Sequence, residues 1–231
     1  MADIFSESMQ RLQKLAAKYP EVLVAYSGGK DSLVVTDLCC KAFQRVTAVH
    51  MEFVPGLKVV EDQIELAKSR WGIDVIRVPD NVFLRCYQIG EYNDVHHSIK
   101  KIKTLRNNDV FKVVAHEGNF SLVANGMKRG DGMFTMAAGS EENVAGELSQ
   151  GIKMVCPLWK WRNTDVLAYL TVNKIPIPPS DGRKSSSIDM TEPNILWLWD
   201  KQREDFYLLE KYFPYMRAVV KRREWYGKEA Q

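Results

Sequence analysis

The stretch EVLVAYSGGKDSLVVTDLC, residues 21–39, leaves an apolar β-branched run, sets two glycines, a lysine and an aspartate between two serines, and returns at once to an apolar pattern. Val22 to Tyr26 reads as a short buried strand, and Leu33, Val34, Leu38 and Cys39 continue at helical spacing, so the motif sits on a strand-to-helix turn. In an open parallel sheet such turns lie at the carboxyl ends of the strands, where ligands bind. Adjacent glycines accept positive φ and carry no side chain, so backbone N–H groups can face an anion closely. The following helix adds its positive end, Ser27 and Ser32 add hydroxyls, and Lys30 adds a full charge. The result is a phosphate cradle, with a spacing that is neither the Walker pattern nor the dinucleotide G-x-G-x-x-G.

Working outward, SMQRLQKLAAKY (8–19) predicts a first helix that Pro20 stops, RVTAVHMEF (45–53) a second strand, KVVEDQIELAKSRW (58–71) an amphipathic helix and IDVIRVP (73–79) a third strand. Strand, helix, strand, helix, strand predicts an α/β fold: a Rossmann-like open parallel sheet with helices on both faces. Residues 81–119 read as a partly helical insertion, and FSLVANG (120–126) as a fourth strand. Glycine-rich KRGDGMFTMAAGSEENVAGE (128–147) reads as a mobile loop, GIKMVCPL (151–158) as a fifth strand and NTDVLAYLTVNK (163–174) as a capped helix. The remainder is a polar loop and then helices rich in Trp and Tyr. The expected organisation is a nucleotide-binding domain over 1–179 with a C-terminal helical extension, 180–231, packed on the same domain.

At 231 residues with 45% hydrophobic and 26% charged side chains, the chain has the composition of a globular protein. No apolar run approaches the ~18 residues of a membrane span, and the acidic, amphipathic start is unlike a signal peptide, so a cytoplasmic location without membrane contact is expected. The four cysteines, Cys39, Cys40, Cys86 and Cys156, form no C-x-x-C, and reduced, buried thiols are the favoured reading. A net charge of +3 does not by itself demand a nucleic-acid partner. His96 and His97 lack a further ligand at suitable spacing and read as solvated histidines.

Placed after a strand, SGGKDS resembles the PP-loop of the adenine-nucleotide α-hydrolase superfamily, whose members cleave ATP between the α and β phosphates. Within it the chain resembles the phosphoadenylylsulfate (PAPS) reductase family, together with the small subunit of ATP-driven sulfate adenylyltransferase and the DNA-phosphorothioation proteins. The family's G-x-R-x-x-D/E-S segment is met by GMKRGDG, with Gly126 and Asp131 in place, Lys128 for the arginine and Gly132 for the serine. The family's P-L-x-x-W-T-x-x-D-V segment is met at Pro157, Leu158, Trp161, Asp165 and Val166, and the resemblance runs from Glu21 to Pro179. The cysteines that reductases carry beyond this point are replaced by SDGRKSSSIDMT (180–191), with Ser185, Ser186 and Ser187.

The resemblance implies ATP and Mg2+ as cofactors and an adenylyltransferase-type transferase that splits ATP at the α–β bond. ATP would lie against Tyr26, Ser27, Gly28, Gly29, Lys30, Asp31 and Ser32, with Met51, Gly126 and Asp131 toward the adenine and the second loop. Lys30 would neutralise the departing pyrophosphate, Asp31 would orient that lysine or hold the metal's water shell, and Lys128 and Arg129 would hold the acceptor or the α phosphate. Two alternatives stay open: a thiol-dependent reductase of adenylylsulfates, and a non-catalytic nucleotide-binding partner in a nucleic-acid-modifying assembly. The acceptor is a small anion or a nucleic acid, and both a homo-oligomer and a subunit role stay open. Trp159 or Trp161 as a substrate contact competes with a core role. The basic string at Lys100, Lys101, Lys103, Arg106 and Lys112 reads equally as a solvated helix face or a wall for an anion. The basic, aromatic C-terminal segment (211–228) has the residue mixture of a nucleic-acid surface, and a helix docked by Tyr212, Phe213 and Trp225 is the favoured reading of the same residues.

Overall fold

The computed structural model describes residues 2–95, 99–131, 145–149, 151–176 and 188–227. Its elements group into two compact units. The first holds Met1–Met51, Ile64–Val78 and Arg106–Pro178; the second holds Glu52–Gln63, Pro79–Leu105 and Pro179–Gln231.

In chain order the elements are α1 (Ala2–Lys18), β1 (Glu21–Ala25), α2 (Lys30–Ala42), β2 (Arg45–Glu52), α3 (Lys58–Trp71), β3 (Asp74–Pro79), α4 (Asn81–Ile89), α5 (Asn107–Glu117), β4 (Leu122–Ala124), β5 (Ala145–Ser149), β6 (Ile152–Val155), α6 (Asn163–Val172), α7 (Glu192–Lys201), α8 (Arg203–Glu210) and α9 (Arg217–Tyr226). The strands form one sheet in the order β3-β2-β1-β4-β6-β5. β1 pairs in parallel with β2 and β4, β4 pairs in parallel with β6, and β5 is antiparallel to β6. The expected α/β fold is therefore present, with one antiparallel edge strand added.

Successive side chains of a strand point to opposite faces, and both faces here are covered. Val22, Val24, Val46, Ala48, Leu122 and Ala124 join Leu12 of α1, Leu38 of α2 and Leu170 of α6 in one apolar cluster. The intervening Leu23, Val49 and Val123 join Val110, Phe111 and Val114 of α5 in another. Two boundaries differ from expectation. α1 begins at Ala2 rather than Ser8, since Ile4, Phe5 and Met9 extend its apolar face onto the first cluster. β5 falls in the segment read as a loop, and its residues Ala145–Glu147 are held by pairing with β6, a non-local cause that composition does not signal. Residues 132–144 of that expected loop lie outside the described residues.

In the second unit, Phe53, Phe83, Tyr87 and Phe213 pack ring on ring, with centroids 4.8–5.9 Å apart. Asp205, buried on α8, accepts hydrogen bonds from the backbone N–H groups of Lys58 (2.6 Å) and Val59 (2.9 Å), which closes the start of α3. The basic residues of α9 are neutralised within the unit. Arg217 pairs with Glu210, Arg222 with Glu192, Arg223 with Asp200 (2.6 Å) and Lys221 with Glu224 (2.8 Å). Phe213 is fully buried as expected, whereas Trp225 is 70% exposed and does not dock the helix. It sits on the last turn of α9, beyond the buried pair Val219 and Val220.

A buried carboxylate pins α2 in the first unit. Asp37 accepts hydrogen bonds from the Trp71 indole (2.9 Å) and the Tyr169 hydroxyl (2.6 Å), and lies 2.7 Å from the Lys41 ammonium. Burial alone would raise its pKa, but the bonds from Lys41, Tyr169 and Trp71 outweigh that and hold it below the ordinary carboxylate value. A depressed pKa contributes stability above the unfolded value, about 3.9, and loses it as the pH falls through the folded one. Lys41 is itself 41% exposed, which screens the pair. Asp37→Asn is therefore expected to cost about 1–2 kcal/mol at pH 7, with the difference from wild type shrinking progressively below pH ~4; urea unfolding across that range reads both.

Candidate functional site

Several helices carry an acidic side chain on the backbone N–H groups of their first turn or cap. Asp205 does this for α3, and Asp80 accepts from Val82 N–H (2.8 Å) at the start of α4. Asp109 and Asp165 accept from the cap N–H groups of Arg106 and Arg162 at α5 and α6. The start of α2 differs. Its cap is Gly29, which has no side chain to close the first turn and whose N–H makes one long bond, 3.4 Å, to Ser27 Oγ, and its first-turn acid, Asp31, faces two ammonium groups instead. The positive end of α2 is thus left open at the carboxyl end of the central strand β1, where an anion gains most.

The loop that presents this end is fixed from below. Tyr26 N–H donates to Val49 C=O (2.9 Å), the Tyr26 carbonyl lies 2.9 Å from His50 Nδ1, and the Tyr26 ring is buried in the core. Burial pushes the Tyr26 phenol well above its usual pKa. Its ring is therefore structural, and its contribution to the cradle is backbone. Gly28 then takes φ +71°, the left-handed conformation that needs no Cβ. Ser32 Oγ donates to Gly29 C=O (2.9 Å), Ser27 Oγ to Ser32 Oγ (3.3 Å), and Leu33 N–H closes the first helical turn on Gly29 C=O.

A second loop, leaving β4, closes on the first. Asn125 N–H bonds Val155 C=O, and Gly126 passes so near α2 that a Cβ there would lie 3.3 Å from the Asp31 carbonyl carbon and Cβ. The Asn125 side chain accepts from Met127 N–H (3.2 Å), an anchoring role with no signal in the sequence. Lys128 is 93% buried, with its Nζ 2.6 Å from Asp31 Oδ1 and 4.0 Å from Asp131 Oδ2. Lys30 Nζ stands 2.8 Å from Asp31 Oδ2. Asp131 accepts from Lys128 N–H (2.7 Å), and Arg129 N–H donates to Trp159 C=O (3.0 Å), which fixes the short 3-10 turn Arg129–Asp131. Arg129 and Asp131 are exposed, and half-buried Met51 is the next-to-last residue of β2. Gly132 lies outside the described residues.

Trp161 belongs to the core, where its indole donates to Ser8 Oγ (2.9 Å). Trp159 is half-buried. Lys100, Lys101, Lys103 and Arg106 are exposed and Lys112 pairs with Asp109, while His96, His97 and Ser185–Ser187 lie outside the described residues. Among the described residues no three His, Cys, Asp or Glu side chains converge on a metal position. Asp31, the carboxylate of the cradle, has an ammonium group within 2.6–2.8 Å of each oxygen, so a divalent cation in its inner sphere would have to displace one of them; its Oδ1 is buried and accepts no hydrogen bond among the described residues.

All four cysteines are unpaired thiols, three buried and Cys40 half-buried. Burial, with help from Glu91, pushes Cys86 up to about 12, and burial pushes Cys156 up to about 11. Both are protonated at neutral pH and poor nucleophiles. Alkylation of the folded protein by iodoacetamide at pH 8 should leave both unmodified while urea-unfolded chain reacts fully; peptide mass mapping distinguishes the two. Gly126→Ala should force the β4 loop off α2 and lower stability by about 1–2 kcal/mol, read by urea unfolding.

With this geometry in hand, comparisons with known proteins agree on the fold. The phosphoadenylyl-sulfate (PAPS) reductase from Candida auris is 16% identical, over 74% of this chain and 81% of that one, with a TM-score of 0.52. The NH3-dependent NAD synthetase from Campylobacter jejuni is 12% identical over 98% and 96%, and yeast FAD synthetase in complex with FAD is 14% identical over 82% and 67%, each with a TM-score of 0.53. No curated protein matches the chain. Residues 21–181, which hold both loops of the cradle, match the family described as phosphoadenosine phosphosulfate reductase domain, and the chain belongs to that family.

Proposed function

We propose that the chain is an ATP pyrophosphatase of the adenylyltransferase type, which splits ATP at the α–β bond to pyrophosphate and AMP or an adenylated acceptor. The observation that carries this is the start of α2 with Lys30 beside it, a cradle that no acid among the described residues caps and that suits the β and γ phosphates of a nucleotide. Lys30, its side chain 36% exposed, can leave Asp31 for the phosphate oxygens and neutralise charge on the departing pyrophosphate. Exposed Arg129, held by its backbone to Trp159, is the group free to meet the acceptor or the α phosphate. Backbone near Met51 and Gly126 would receive the adenine. Complexes of related folds with FAD and with ATP, in yeast FAD synthetase and Candida glabrata FMN adenylyltransferase, support an adenine nucleotide as the ligand.

The family also supports the reductase reading, which shares the nucleotide end of the site and differs in needing a thiolate. Protonated, buried Cys86 and Cys156 favour the hydrolytic or transfer reading over one that uses a thiol of this chain.

Radiolabelled ATP should yield AMP or an AMP adduct with pyrophosphate; ADP and phosphate as the main products would overturn the reading. Sulfite released from an adenylylsulfate with added dithiol, and no pyrophosphate from ATP, would decide for the reductase. Lys30→Ala should weaken ATP binding about tenfold or more, because a charge-assisted contact is worth roughly 1.5–3 kcal/mol, and calorimetry on the folded variant measures it.

A further inference from the structure

We propose that Asp31 is a positioning residue, the internal counter-ion that holds Lys30 and Lys128 as a paired clamp for an anionic phosphate chain, and not a ligand to a divalent cation. Its ligand rests on the nucleotide reading above; its geometry does not.

Asp31 divides its two oxygens: Oδ2 accepts a hydrogen bond from Lys30 at 2.8 Å, and Oδ1, buried and accepting no hydrogen bond among the described residues, stands in an ion pair with Lys128 at 2.6 Å. The two lysines are not equivalent. The Lys128 side chain is 8% exposed and its backbone is tied through Asp131, so its position is fixed. The Lys30 side chain is 36% exposed and stands on the first residue of α2. An incoming phosphate therefore competes with Asp31 for Lys30, while Lys128 stays and keeps the carboxylate neutralised. Without Lys128, Asp31 would hold Lys30 as its sole counter-charge and oppose its transfer to the phosphate.

The same geometry explains why a lysine suits position 128. An ammonium is a compact point charge satisfied by one carboxylate oxygen, whereas a guanidinium engages both oxygens in a fork and would leave none for Lys30. Gly126, in contact with Asp31, brings the β4 loop close enough for Lys128 to reach.

The test measures ATP and inorganic pyrophosphate binding by calorimetry, each with and without Mn2+, alongside melting temperature, for wild type, Asp31→Asn, Lys128→Met and the double variant. Each single change should weaken both ligands about tenfold whether or not Mn2+ is present, and the double variant should be no worse than either single. The melting temperatures should show the same lack of additivity. An Asp31→Asn protein that binds ATP normally without Mn2+ and loses only the gain from Mn2+ would overturn the proposal in favour of a metal ligand. Effects of the two changes that multiply would overturn it as well. If wild type binds neither ligand, the nucleotide reading fails, and the melting-temperature cycle still decides the clamp: losses that add overturn it, and losses that do not add uphold it.

Discussion

The start of α2 carries a cluster of backbone donors and the positive end of a helix dipole, and among the described residues no side chain closes its first turn as a cap. Leaving such an end open at the edge of a sheet is unfavourable unless something else steadies the turn. The steadying comes from around the loop: Tyr26 buried beneath it, the Ser27 and Ser32 hydroxyls bonded within it, and Gly126 pressed against Asp31. The loop is thus held in shape chiefly by its side chains, with Gly29 N–H making one long bond, 3.4 Å, to Ser27 Oγ. That is preorganisation, the condition under which dipoles act on a bound charge without reorganising first.

Charge is arranged by the same logic. On α9 each basic side chain from Arg217 to Arg223 has an acidic partner in its own unit, so that helix is close to neutral. The cradle instead gathers Lys30 and Lys128 around Asp31, with Asp131 at the edge of ion-pair range of Lys128, beside the start of α2. A surface basic by composition and lysines gathered by geometry are different things, and only the second underlies the proposed site.

Much of this is written locally. The strand, glycine pair and helix of residues 21–39 lie within one short segment, and the alternation of Val22, Leu23 and Val24 between two apolar clusters follows from the strand period. The boundaries of α3 follow from its apolar spacing. What escaped the sequence depends on distant segments. β5 exists because β6 pairs with it, and glycine-rich composition around it reads as loop. The Asp31–Lys128 pair joins residues far apart in the chain, so each was legible as a charged site residue while their contact was not. Trp225 is apolar and near the end of a helix, and only the course of α9 shows that it points away from the packed residues.

The Asp37 network has one more consequence. It ties the middle of α2 to Trp71 on α3 and Tyr169 on α6, so the helix that offers its first turn to a ligand is also the one on which the first unit is assembled. A ligand held at that turn would bind an element tied into the first unit, so its binding energy would stabilise that cooperative unit. At a hundredfold excess over its dissociation constant such a ligand adds roughly 2.7 kcal/mol to stability. An acceptor for the proposed reaction can therefore be sought without assuming any chemistry, as a compound that shifts the melting curve further once a nucleotide is already in place.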